Sequence, residues 1–436
     1  MKVPSFSAGS VVNSVLVVLC IVYGISPLTS RAQTGSVRTY QKGTRVYLDN
    51  GTIKVGLETA WGGTIVEVVW QGKNVVNDFD TGREVQVAFY DGDPYPVCGE
   101  CAGASGWDPV QGGDGHKRGS PILAQTLGSD SIYIRTQPLQ WISDNKGGPN
   151  APVPGDLFVE QWVTLLPDYP TGIKIHYKVT HSGADRHTNS YQEFPAVYVN
   201  SEFIHFAYYG GTDPWTNGPV TSVVLPPRPA SPTFYTSEQW GALVNSQNVG
   251  LTVFVPGQYP YAHGSSVPAG GPPNHGANYF LPFTLFSFEP GSVLEADIYL
   301  FGGDYRTARQ AIYALKKTIP AQDPFTPDGS MDSPGRNAIV KGSTAVSGWA
   351  FDNSKVSEVD VLLDEQFVGR ADYGSPRPDV AKKLPNAPVA IGFKYMLDTT
   401  KVANGEHFIG VNIKDPTGNV AVLRRSPITI ENPGHP

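Results

Sequence analysis

From residue 44 onward, short runs of alternating apolar and polar positions are separated by clusters of Gly, Pro, Asn and Asp. Alternation with a period of two puts every second side chain on one face of an extended chain, so each run predicts a strand with one buried face. "RVYLDNGTIKVGLE" sets Asn50-Gly51 between two such runs, a strong hairpin signal. "GGTIVEVVWQGKNVV" turns again at Gln71-Gly72. The series continues through "SIYIRTQPL", "DLFVEQWVTLLP", "GIKIHYKVTHSG", "WGALVNS", "VGLTVFVP", "YFLPFTLFSFEPG" and "SVLEADIYLFGG". Together these runs predict one all-β domain over residues 36–303, most simply two large antiparallel sheets packed together.

The period changes once. In "DYRTARQAIYALKK", Ala308, Ile312 and Leu315 recur at helical spacing, Asp304 can cap the start, and two lysines suit the last turn. This predicts a single helix over 304–318, packed on the β domain. A linker rich in Pro, Gly and Asp follows over 319–336. Short alternating runs then resume over 337–432, and their number and spacing fit a small immunoglobulin-like sandwich.

The beginning of the chain reads differently. Lys2, the apolar stretch "VVNSVLVVLCIVYGI" and the small residues Ser30 and Ala32 have the layout of a secretory signal over 1–32, cleaved before Gln33. The apolar run of about 15 residues is shorter than the ~20 that a membrane-spanning helix needs. The expectation is therefore a secreted protein, extracellular or periplasmic, with no membrane segment after cleavage. Beyond the leader the cysteines are Cys98 and Cys101, in "CGEC". In an oxidising compartment such a pair forms a local disulfide, since a zinc site wants four ligands. A net charge of −7 and a pI near 5.7 argue against nucleic acid, which demands a basic footprint. Gly 48 and Pro 38, with Tyr 21, Phe 19 and Trp 8, suit an aromatic-rich β protein from outside the cell.

Two stretches carry family resemblances. "SGWAFD…VSEVDVLLDEQFVGRADYG…RPDV…GFKYMLDTTKVANGEHFIGVNIKDPTGN" resembles the bacterial Ig-like domains appended to secreted and surface proteins, with Gly348, Trp349, Asp352, Asp415 and Asn419 in matching places. That resemblance implies a spacer or a unit for docking at the cell surface. "LDNGTIKVGLETAWGGTIVEVVWQGKNVVN", "VGLTVFVPGQ" and "FEPGSVLEADIYLFGG" more distantly resemble the galactose mutarotase-like superfamily of β-supersandwiches. Its members include sugar epimerases and domains of glycoside hydrolases and polysaccharide lyases. Where an epimerase would carry its glutamate this chain has Val255, Pro256 and Gln258, and the substrate-binding histidine is not evident. Simple aldose epimerisation is therefore disfavoured.

The chemistry-bearing candidates fall in four stretches. In "NDFDTGREVQVAFYDG", Glu84, Gln86 and Tyr90 share one strand face, with Asp80 and Arg83 just before them. An acid, an amide and a phenol suit a sugar-reading surface; the alternative is a turn held by a salt bridge. "DLFVEQWVTLLP" sets Glu160 beside Trp162, an acid next to a stacking platform or an exposed strand face. "GADRHTNSYQEFPAVYVN" crowds Arg186, His187, Tyr191, Gln192 and Glu193 into a loop and strand start. Glu193 with Glu84 or Glu160 would supply the carboxyl pair of glycoside hydrolysis. His187 or Tyr191 as base, with Arg186 against a uronate, would instead suit a lyase. Trp107, Asp108, Gln111, Asp114 and His116, and Trp215 farther on, read as rim or surface-loop residues. Asn77, Asp78 and Asp80 could hold Ca²⁺ but lack the spacing of an EF loop, and without a phosphate-binding glycine loop no cofactor is expected. The reading is a secreted carbohydrate-active protein that hydrolyses a glycan with a carboxyl pair. Its alternatives are a non-catalytic glycan-binding or surface protein and a polysaccharide lyase.

Overall fold

A computed structural model of the chain describes residues 36–77, 84–91, 107–141, 151–225, 233–257, 261–266, 276–321, 323–384, 387–423 and 425–434. The leader, the disulfide expected between Cys98 and Cys101, and Asp78, Asp80, Arg83 and Gln258 lie outside these residues. The fold is all-β: four sheets and two α-helices, Tyr305–Leu315 and Pro378–Ala381, among the described residues. None of the described helices is long and apolar enough to cross a membrane.

Local sequence chemistry sets the strand ends. At Asn50-Gly51 the Asn50 Oδ1 accepts from the amides of Thr52 and Ile53, and Gly51 takes φ 82°. This closes the hairpin of Arg45–Asp49 with Ile53–Glu58. At Gln71-Gly72 both residues have positive φ, 50° and 78°, the geometry of a two-residue type I′ turn between Trp70 and Lys73.

A 12-stranded sheet has Thr64–Trp70, Val85–Ala88, His187–Asn200 and Ala277–Phe288 along its middle. A 9-stranded sheet centres on Leu157–Leu165, Gly172–His181, Val293–Asp304 and Val249–Phe254. One continuous core lies between them, with Val85, Val87, Phe89, Val197 and Val199 from the larger sheet against Val159, Val163, Ile175, Val179 and Ile298 from the smaller. Side chains that alternate with these residues must therefore point away from the core, on opposite outer faces of the two sheets.

The Tyr305–Leu315 helix is capped by Asp304, whose carboxylate accepts from the Arg306 amide. It buries Ala308, Ile312 and Leu315 against Trp240, Phe254, Tyr299 and Phe301, on the outer face of the 9-stranded sheet. After residue 327 come a 4-stranded and a 6-stranded sheet with their own core, including Val346, Val361, Phe393, Val411 and Ile430. Within it, Ala338–Val340 pairs in parallel with Ser426–Ile430. This sandwich bonds to what precedes it through Val422 N–H to Ser287 Oγ (2.8 Å), Tyr235 O–H to Lys383 O (2.7 Å) and Asn353 Nδ2 to Gly257 O (2.8 Å).

Candidate functional site

The outer face of the 12-stranded sheet gathers acids and phenols. Along Val85–Ala88 the valines enter the core, so Glu84, Gln86 and Tyr90 lie on the other side. The neighbouring His187–Asn200 strand aligns Glu193 with Ala88 and Ala196 with Gln86, and its register shifts between them. Phe194 and Val197 on either side of that irregularity are core residues, which leaves Glu193 and Tyr198 facing outward. A bulge of this kind bends a strand and re-aims its side chains. Across the next pairing, Tyr198 stacks on Tyr279 with ring centroids 4.7 Å apart and an interplanar angle of 17°.

A further acid reaches this face from a distant part of the chain. Pro109–Val110 joins the sheet beside Val85–Ala88, through Phe89 N–H to Pro109 O (3.1 Å) and Gln111 N–H to Val87 O (3.0 Å). Asp108 comes just before it, its backbone clamped by Gln140 Oε1 accepting from its amide and by the Trp141 amide donating to its carbonyl. Its side chain is buried and its Oδ1 has no hydrogen-bond partner. Burial, and then the negative charge of Glu193, push the Asp108 carboxyl well above the usual carboxylate range. Burial likewise raises the Tyr90 phenol, with the charge of Glu193 and a hydrogen bond to it adding to the shift. Both shifts favour the protonated form, of the Asp108 carboxyl and of the Tyr90 phenol. Glu193, Tyr90, Tyr198 and Tyr279 are half-buried and reachable, while Asp108, Glu84 and Gln86 form a buried floor.

Most of the other candidates do not join this face. Glu160 and Trp162 alternate with Val159 and Val163, so they stand on the outer face of the opposite sheet. There Glu160 accepts from Tyr133 O–H (2.7 Å), and Trp162 packs on Tyr133 and His176. Glu160 is therefore ruled out as the second carboxyl of a pair with Glu193. Gln192 is fully buried and spends its amide on backbone: Oε1 accepts from Tyr90 N–H (2.7 Å), and Nε2 donates to the Tyr90 and Phe286 carbonyls (3.0 Å each). Tyr191, two residues before Glu193 in unbroken register, shares its face, but its hydroxyl is turned to Asp328 Oδ2 at 3.4 Å. Arg186 pairs with Glu289 at 2.8 Å. Trp215 packs edge-on against Tyr313 and Phe254, with the Lys316 ammonium 5.5 Å from its ring. Gln111 accepts from Val87 N–H and donates to Gly62 O, and Asp114 pairs with Arg118.

His187 and Trp107 belong to a buried network inside the sandwich. Their rings stack at 3.8 Å, and the Trp107 indole N–H donates to Asp156 Oδ1 (2.6 Å). His187 Nδ1 bonds Asp91 Oδ2 (3.0 Å), its Nε2 faces Asp156 Oδ2 at 3.6 Å, and His181 Nε2 bonds the same oxygen (3.2 Å). Asp156, His181 and His187 are close enough to share a metal ion. Their electrostatics favour an ion pair instead. Burial lowers the His187 pKa, but hydrogen bonds to Asp156 and Asp91 outweigh that and raise it. Burial lifts Asp156, but bonds from His181, His187 and Trp107 hold it far below the carboxylate range. Protonation favoured in this way competes with a metal for the ring nitrogen of His187.

No protein-family profile and no curated protein matches this chain. Among solved structures, a 4-alpha-glucanotransferase from Thermococcus litoralis aligns over 62% of this chain and 40% of its own, at 9% identity and TM-score 0.35. A TPR-domain protein from Parabacteroides distasonis aligns over 60% of this chain and 47% of its own, at 9% identity and TM-score 0.36. A polysaccharide lyase covers 90% of this chain and 47% of its own, at 7% identity and TM-score 0.28. The chain spans less than half the length of each. Likenesses this slight carry no weight for activity.

Proposed function

We propose that this chain is a secreted carbohydrate-active protein that cleaves a glycan on the outer face of its 12-stranded sheet. The observation that carries the reading is the split environment of Asp108 and Glu193. One carboxyl is kept neutral by burial, next to a second whose negative charge helps keep it so. Pairs of acids driven apart in this way divide acid and base work between them. Asp108 would protonate the departing glycosidic oxygen. Glu193 would activate a water or attack the anomeric carbon. Tyr198 and Tyr279 offer a flat stacked surface for a sugar ring, and the half-buried Tyr90 phenol is one of the polar groups that hydroxyls require.

Hydrolysis is favoured over elimination by the placement of the lyase candidates. His187 is buried behind Trp107, Arg186 is paired with Glu289, and the Tyr191 hydroxyl is turned to Asp328 Oδ2 at 3.4 Å. The reading is in keeping with the resemblance of residues 40–303 to mutarotase-like supersandwiches, with a different set of acids in place of the epimerase residues.

The test is a screen of the secreted chain against a polysaccharide panel for newly released reducing ends. Glu160→Gln serves as a control from the opposite sheet and should release them at the parent rate. Binding of a polysaccharide without any release would reduce the protein to a glycan-binding one. Equal loss of activity in Glu160→Gln would misplace the cleft.

A further inference from the structure

A second cluster of acids lies where the connector after the Tyr305–Leu315 helix meets the C-terminal sandwich. Asp323 comes from the connector, Asp352 from the end of Ser343–Phe351, and Asp415 from the end of Gly405–Lys414. One carboxylate oxygen from each lies within 4.8 Å of the others. Like charges so close repel strongly, and among the described residues none of the three has a Lys, Arg or His at ion-pairing distance. Lys316 lines the adjoining cleft of about 650 Å³ but pairs with none of them.

Two of the acids are held in place by their own turns. Asp415 Oδ1 accepts from the amides of Thr417, Gly418 and Asn419, and its Oδ2 accepts from Asn419 Nδ2. Asp352 Oδ1 accepts from the Ser354 and Lys355 amides, which leaves its Oδ2 to the cluster. Asp323 is different. Both of its carboxylate oxygens are buried, and neither has a hydrogen-bond partner. Ser354 and Asn353 approach it without reaching hydrogen-bond geometry. Burial and the charges of Asp352 and Asp415 push its pKa up to about 6. A carboxylate buried with no donor on either oxygen is costly unless something positive faces it. Asn419 Nδ2 also donates to the Asp323 carbonyl (2.6 Å), so the segment is pinned in this position by its backbone.

We propose that Asp323, Asp352 and Asp415 bind one divalent cation, calcium by the all-oxygen donor set, and that this ion ties the connector to the C-terminal sandwich. The donors include neither nitrogen nor sulfur, which disfavours zinc and copper. Asp323 can offer both oxygens, and the cleft leaves room for the waters that complete a calcium shell. The ion would neutralise a cluster that otherwise destabilises the junction.

The experiment is calcium titration of the EGTA-treated full secreted chain by calorimetry, alongside melting curves with and without calcium. One saturable calcium per chain is expected, with Tm rising by roughly 3 °C at saturation. Asp323→Asn should lose the binding, and in EGTA it should melt at or above the parent temperature, because it removes a repelling charge. No saturable binding at millimolar calcium would overturn the proposal. So would undiminished binding by Asp323→Asn, or saturable binding of zinc in preference to calcium.

Discussion

Glu193→Gln is expected to cut glycan cleavage by about 10³-fold with little change in Tm, the scale of losing a positioned acid–base group. The substitution keeps the shape of the side chain and removes its charge. Glu193 is half-buried on the outer face of the sheet and takes no part in the core, so the fold should tolerate the change. Asp108→Asn should fall by a similar factor on a natural polysaccharide, with a difference that separates the two roles. An aryl glycoside whose leaving group needs no protonation should recover most of the rate in Asp108→Asn and none in Glu193→Gln. Steady-state rates on both substrates decide this. Equal rescue of the two variants would contradict the assignment of Asp108 as the acid.

Glu238→Ala should have the largest effect on stability. Glu238 is fully buried and forms a bidentate pair with Arg309, through Nε to Oε2 (2.9 Å) and Nη2 to Oε1 (2.8 Å). It also accepts from Trp240 Nε1 (2.8 Å), the Trp215 amide (3.0 Å) and Tyr313 O–H. Arg309 donates as well to Gly218 O, among the rings of Tyr209, Trp240 and Tyr313. Truncating the acid strands a buried guanidinium between the helix and the sheet, at a cost of about 3–5 kcal/mol. Chemical denaturation of the parent and the variant measures it; a change under about 1 kcal/mol would place the pair with ordinary surface bridges. The pH dependence carries a sign. Burial pushes the Glu238 pKa up, but its bonds from Arg309, Tyr313 and Trp240 hold it below the ordinary 4.5. Its contribution is therefore complete above that value and fades as pH falls through the lowered one. Glu238→Ala should show a flatter acid limb than the parent.

Local features of this fold are legible in the sequence because their physics is local. Asn50-Gly51 turns because an Asn side chain can cap a hairpin and Gly accepts positive φ. Asp304 starts the helix because its carboxylate meets a free amide. The alternation through Val85, Val87 and Phe89 fixes which side chains of that strand face the core. Alternation does not say to which sheet a strand belongs, however. Glu160 and Glu193 sit in similar patterns, yet the core between the sheets separates them. Gln192 has the composition of a sugar reader, but it satisfies backbone groups where the strand register shifts. Asp108 carried only the weak signal of a polar loop. Its role depends on a pairing between Phe89 and Pro109 that no short-range pattern announces.

The most direct measurement is the protonation of Asp108 itself, followed by carbon-13 NMR of the aspartate carboxyls, with Asp108→Asn identifying the resonance. The account predicts a carboxyl that titrates well above the exposed aspartates and that moves to lower pH in Glu193→Gln. A resonance that titrates near pH 4 with the others, unaffected by residue 193, would contradict it.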